Sequence, residues 1–111
     1  MIGAKAGGPR LPDLHAYFAR RLPARLGEMA EAWDAVRAAA WSADSLRLLH
    51  RLAHSLAGTG STFGFPDVST TAHDLEHLLE TALAGAAPPD DAMARRVEQL
   101  LGDLDSAARE G

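Results

Sequence analysis

Leu46-Arg47-Leu48-Leu49-His50-Arg51-Leu52-Ala53-His54-Ser55-Leu56-Ala57-Gly58-Thr59-Gly60-Ser61-Thr62-Phe63 is the stretch from which the rest of the chain can be read. Leu46, Leu49, Ala53, Leu56, Gly60 and Phe63 recur at steps of three and four, which at about 100° per residue line one side of a helix. Ser42 or Asp44 can open it, because a side-chain oxygen at that place accepts from the free amides of a first turn. The spacing predicts a helix running inward-facing to about Phe63.

Outward from that stretch the same period returns. Pro66 and Asp67 restart the chain, and Val68, Ala72, Leu75, Leu79 and Ala82 form the inner face of a helix ended by Gly85 and the Pro88-Pro89 pair. Asp90 or Asp91 opens a last helix with Met93, Val97, Leu100, Leu101, Leu104 and Ala108 as its apolar stripe. Upstream, Leu22, Leu26, Met29, Trp33, Val36 and Ala40 make another stripe, with Glu28, Glu31, Asp34 and Arg37 outside. Proline is best tolerated at a helix start, so Pro23 is expected to begin that helix and to end a short preceding one carrying Leu14, Tyr17 and Phe18. Residues 1–10, with three glycines, a proline and no apolar period, are expected to form a flexible tail, and 11–111 one domain.

Short connections place consecutive helices side by side in opposite directions. The expected fold is all-α: an antiparallel up-down-up-down four-helix bundle with an extra short N-terminal helix. A chain of 111 residues suits one core. Ala and Leu dominate its apolar residues, a helix-favouring bias.

Composition also excludes functions. A net charge of −4 argues against a general nucleic-acid binder, which needs a basic face to displace counterions from phosphates. The absence of cysteine removes disulfides, thiolate metal sites and thiol nucleophiles. No apolar run approaches the roughly 18 residues of a membrane span, and no basic-then-apolar leader is seen. A cytoplasmic monomer with no membrane contact is expected. No Gly-rich nucleotide loop is present, so the chain carries no kinase ATP-binding segment.

Within the opening stretch, His54 falls about 130° from the centre of the apolar stripe, with His50, Arg51 and Gly58 three or four residues away and Arg47 and Ser61 a further turn out on the same face. An exposed histidine there is unremarkable by itself. Gly58, however, lies on the same solvent face, where a mid-helix glycine costs about 1 kcal/mol against alanine with no packing reason. Its use is to leave the surface beside the imidazole open to another protein. Gly60 lies on the apolar stripe, where a missing side chain lets a neighbouring helix approach. No acidic residue occurs between Asp44 and Asp67, while Arg47 and Arg51 share the histidine's face and could meet an anionic group.

The run from His54 resembles the histidine-containing phosphotransfer (HPt) domains of bacterial and eukaryotic phosphorelays. Their motif is a histidine, a leucine two residues on, usually a lysine at the third place, a glycine at the fourth and another at the tenth. His54, Leu56, Gly58 and Gly64 match, the apolar-and-glycine run through Phe63 and the Leu75-Glu76 pair look similar, and Ala57 stands where the lysine usually is. The resemblance implies that His54 accepts a phosphoryl group and exchanges it with the aspartate of a receiver domain. Response-regulator receiver domains and a hybrid or sensor histidine kinase would be the partners, with Mg²⁺ on the receiver and no cofactor bound by this chain. Arg51 and Arg47 would support the phosphoryl charge, His50, Gly58 and Ser61 would form the docking surface, and Leu56, Gly60 and Gly64 would shape the motif. The chemistry agrees: imidazole, titrating at about 6.5, is largely neutral and nucleophilic at neutral pH.

Two other classes compete. His50 with His54, and His73 with His77, are pairs at a spacing that can bind zinc or copper, but no Glu follows His50 or His73 to make a protease motif. Both pairs are expected on outward faces that need not converge, so no metal is assigned and these residues, with His15, are expected to face solvent. The other class is a helical interaction module without phosphotransfer.

Overall fold

The structure, a computed structural model, describes residues 11–85 and 90–110. Four helices make up the fold: α1 (Leu11–Ala38), α2 (Ala43–Thr62), α3 (Pro66–Ala84) and α4 (Asp91–Glu110). No strand occurs among the described residues. Each helix packs on those before and after it, and α1 and α4 close the ring. The expected N-terminal tail and Pro88-Pro89 lie outside the described residues.

The expected helix starts and stops each have a local physical cause. Ser42 Oγ accepts from the Ser45 amide at 3.3 Å at the head of α2, and Asp90 Oδ1 accepts from the Met93 amide at 2.9 Å before α4. Pro66 opens α3, and Gly85, left-handed at φ 69°, ends it.

The expected break at Pro23 does not occur. α1 is one helix of 28 residues with Pro23 inside it, so the separate short N-terminal helix is the first half of a bundle helix. An interior proline costs about 3 kcal/mol, but Phe18, Leu22, Met29, Trp33 and Val36 are all buried on one continuous stripe. Burial of a large apolar side chain contributes about 2 kcal/mol, so Phe18 and Leu22 on one side of the proline offset it. Pro23 itself is exposed, where water can serve the carbonyl that loses its amide donor. At the other end α1 stops at Ala38, short of the expected Ala40, which is exposed and has φ 52°. Trp41, also at positive φ, turns back edge-on against Trp33 with ring centroids 5.3 Å apart.

The core holds Leu46, Leu49, Ala53 and Leu56 from α2, Val68, Ala72, Leu75, Leu79 and Ala82 from α3, and Val97, Leu100 and Leu104 from α4. The first half of α1 covers the α2–α3 turn. Phe18 stacks near Phe63 and Phe65, and His15 lies parallel to Phe65 with centroids 4.4 Å apart. His15 is therefore half-buried and structural, not the solvent-facing residue expected. Across the α1–α4 seam the Trp33 indole donates to Glu98 Oε2 at 3.1 Å, and Arg37 donates to the same oxygen at 2.7 Å.

Candidate functional site

α2 and α3 run in opposite directions, so residues four apart on one helix meet residues four apart on the other. His50 Nε2 lies 3.0 Å from Glu80 Oε2, His54 Nδ1 lies 2.5 Å from Glu76 Oε2, and Ser69 Oγ donates to the Ala57 carbonyl at 2.5 Å. Close approach at this seam depends on Gly60. A Cβ there would stand 3.1 Å from the Ser69 amide nitrogen and 3.3 Å from the Phe65 carbonyl oxygen, both backbone atoms. Gly64 closes the turn at φ 88°, a left-handed conformation that side chains rarely adopt. Leu56 is buried beneath.

Glu76 is the one buried charged residue among the described residues. An ionised carboxylate only accepts, and burying it without donors costs several kcal/mol. Three histidines surround it. Besides His54 Nδ1, His50 Nε2 lies 3.8 Å from Oε2, and His73 Nδ1 lies 3.8 Å from Oε1. The donor at His54 follows from its partner: a carboxylate only accepts, so a proton sits on Nδ1, and in the neutral ring Nε2 is then the nitrogen with the free lone pair. The His54 side chain is 71 % exposed and that of Glu76 10 %, so the ring is anchored at one nitrogen and open at the other.

Beside the ring lies an open depression of about 430 Å³, lined by His54, Ala57, Gly58, Ser69, Thr70 and His73 among others. Gly58 is exposed, and nothing lies within 4 Å of where its Cβ would be. Ser61 is exposed one turn further on. His50, assigned from the sequence to a docking surface and expected to face solvent, is half-buried against Glu80.

The two arginines differ. Arg47 pairs with Asp44 on its own helix at 3.0 Å. Arg51 is exposed, and among the described residues no carboxylate comes within ion-pair distance of it. The chain's sole lysine is Lys5, so no lysine on these helices takes the place of Ala57, which is half-buried at the edge of the depression.

The histidine pairs do meet carboxylates. His77 Nδ1 lies 3.5 Å from Glu80 Oε1, and the Nε2 atoms of His73 and His77 are 3.1 Å apart. The His50 hydrogen bond, followed by the nearby His77, His50 and His54 charges, holds the Glu80 carboxyl below its ordinary range. Glu76 and Glu80 are the residues that the sequence assignment of the site missed. For Glu76 a signal existed, since it stands four after Ala72 and three before Leu79, on the inner face.

The family model for the Hpt domain matches residues 13–107. The chain belongs to the Hpt domain family. Histidine phosphotransfer in phosphorelay signalling is the role of that family, whose domains act with receiver domains and histidine kinases. No curated protein and no solved structure gives a significant match. No described helix of this Hpt domain is long and apolar enough to cross a membrane.

Proposed function

We propose that His54 is the phosphoacceptor of this Hpt domain, and that it relays a phosphoryl group between aspartates of response-regulator receiver domains, with a hybrid or sensor histidine kinase upstream. The observation that carries this reading is the His54–Glu76 hydrogen bond, which engages Nδ1 and makes Nε2 the free nitrogen of the neutral ring at the rim of an open depression. In the forward step the Nε2 lone pair forms the N–P bond as the O–P bond of an aspartyl phosphate breaks, and the receiver regains its carboxylate. The ring becomes cationic, and Glu76 balances that charge through the Nδ1 proton; the reverse step returns the phosphoryl group to a second receiver. Phosphoryl transfer depends mainly on in-line positioning and charge stabilisation, so a carrier this sparse suffices when Mg²⁺ is held by the receiver and none by this chain.

The test is to mix the chain with a phosphorylated receiver and Mg²⁺ and to measure acid-labile, base-stable phosphate on it. His54→Gln is expected to abolish uptake while leaving helicity intact. Undiminished uptake by that variant would move the site to His50, His73 or His77 and overturn the assignment.

A further inference from the structure

Beyond the phosphoacceptor, three donor atoms from two helices converge behind it. His50 Nε2, Glu76 Oε2 and Glu80 Oε2 belong to a group whose ligand atoms all lie within 4.8 Å of one another. The two distances from His50 Nε2 are 3.8 Å to Glu76 and 3.0 Å to Glu80. Zinc bound at about 2.0–2.2 Å in tetrahedral geometry holds its donors roughly 3.3–3.6 Å apart, so the two distances from His50 bracket the requirement, while the two carboxylate oxygens, within 4.8 Å of each other, close toward it by side-chain rotation. One imidazole with two carboxylates is a donor set for zinc; magnesium and calcium favour oxygen alone.

The surroundings fit as well. Each carboxylate offers one oxygen toward His50 and turns the other toward a histidine of its own helix, Glu76 toward His73 and Glu80 toward His77. Such outer histidines orient ligating carboxylates. The Glu80 side chain is 48 % exposed, which provides an entry path and room for water as a fourth ligand.

We propose that His50, Glu76 and Glu80 form a zinc site that shares Glu76 with His54, so that a bound ion loosens the hold of Glu76 on the phosphoacceptor ring. Oε2 of Glu76 is the oxygen nearest both His54 Nδ1 and His50 Nε2. An ion on that oxygen draws its electron density away and makes it a poorer acceptor for the Nδ1 proton. The metal site stands on its own donors, whereas its effect on phosphotransfer rests on the phosphoacceptor reading.

The test titrates the full chain with zinc chloride in buffer free of phosphate and chelator, by calorimetry and by ¹⁵N NMR of the histidine rings. One equivalent should bind with a Kd of about 10 µM or tighter, and His50→Ala and Glu80→Gln should each weaken it at least about tenfold. His54→Gln should keep the binding. In the unmodified chain zinc should shift the His50 Nε2 resonance directly and move the His54 ring toward a mixture of tautomers. No binding in this range, or loss of binding in His54→Gln, overturns the site, as does a zinc shift at Nε2 of His73 and His77 in place of His50. Unmoved His54 resonances at saturating zinc overturn the coupling. Failure of the metal-free chain to take up phosphate would refute the proposed function and leave the zinc titration standing.

Discussion

Glu76 Oε2 lies 2.5 Å from His54 Nδ1, joining the most buried carboxylate among the described residues to the exposed ring on the neighbouring helix. The bond selects the tautomer of the neutral ring, fixes the ring plane, and places a negative charge where, with His54 as the proposed phosphoacceptor, the ring becomes cationic during transfer. A hydrogen bond to a charged group is worth about 1.5–3 kcal/mol, or roughly tenfold to a hundredfold in rate. Glu76→Ala is therefore expected to slow phosphate uptake by about that factor, measured with phosphoramidate as a donor that brings no protein partner. Glu76→Gln, which keeps an acceptor oxygen and loses the charge, should fall between. Uptake by Glu76→Ala at the unmodified rate would show that the partner alone orients the ring.

Gly58 and Gly60, two of the glycines that follow His54, should behave oppositely. Gly58 has open space where a Cβ would go, and Gly60 has backbone atoms at 3.1 and 3.3 Å. Gly58→Ala should stabilise the fold by about 0.5–1 kcal/mol through helix propensity. Gly60→Ala should destabilise it by about 1–3 kcal/mol, since α3 must move away. Urea midpoints at unchanged m-value are the measurement. Gly58→Leu should hold stability yet slow transfer from a receiver, because its side chain projects beside His54. A gain in stability from Gly60→Ala would mean that the α2–α3 seam relaxes freely.

Pro23 offers a test of the continuous first helix. It is exposed and lies within α1, so Pro23→Ala restores a backbone donor without touching the core. Stability should rise by about 1–3 kcal/mol, less than the full interior-proline penalty because the unfolded chain also gains freedom. A loss of stability would mean that α1 depends on a proline-induced bend.

The stripes of α2, α3 and α4 were legible because their apolar residues at helical spacing are buried or packed half-buried against the core, and Ser42, Pro66 and Gly85 mark boundaries through local chemistry. The helix count was not, because a local rule about proline was weighed above the uninterrupted stripe from Phe18 through Leu22 and Leu26 to Met29. His54 and Gly58 stand out through their place on the wheel, a property of one helix. Glu76 and Glu80 depend on register between two helices. A carboxylate on the inner face of α3 signals a buried partner, yet only the pairing of α2 with α3 says that the partner is His54.

The last prediction concerns charge beside the proposed phosphoryl site, where Ala57 stands in place of the usual lysine. Arg51, one turn before His54, is exposed and without a carboxylate partner among the described residues, whereas Arg47 is engaged by Asp44 at 3.0 Å. A guanidinium presents paired donors to phosphate oxygens, and the one already held elsewhere gives up an interaction to do so. Arg51→Ala should therefore slow transfer or shorten the lifetime of phosphohistidine more than Arg47→Ala does. Ala57 lines the depression beside His54, so Ala57→Lys should set a cation at its edge and recover part of the loss in the Arg51→Ala background. The effects should stay below about tenfold, because exposed charge pairs contribute under about 1 kcal/mol. Phosphohistidine decay followed by ³¹P NMR, together with transfer rates at low and high salt, is the measurement. Equal behaviour of the two arginine variants, with no benefit from the new lysine, would place the charge balance on the receiver and leave Arg51 a solvated surface residue.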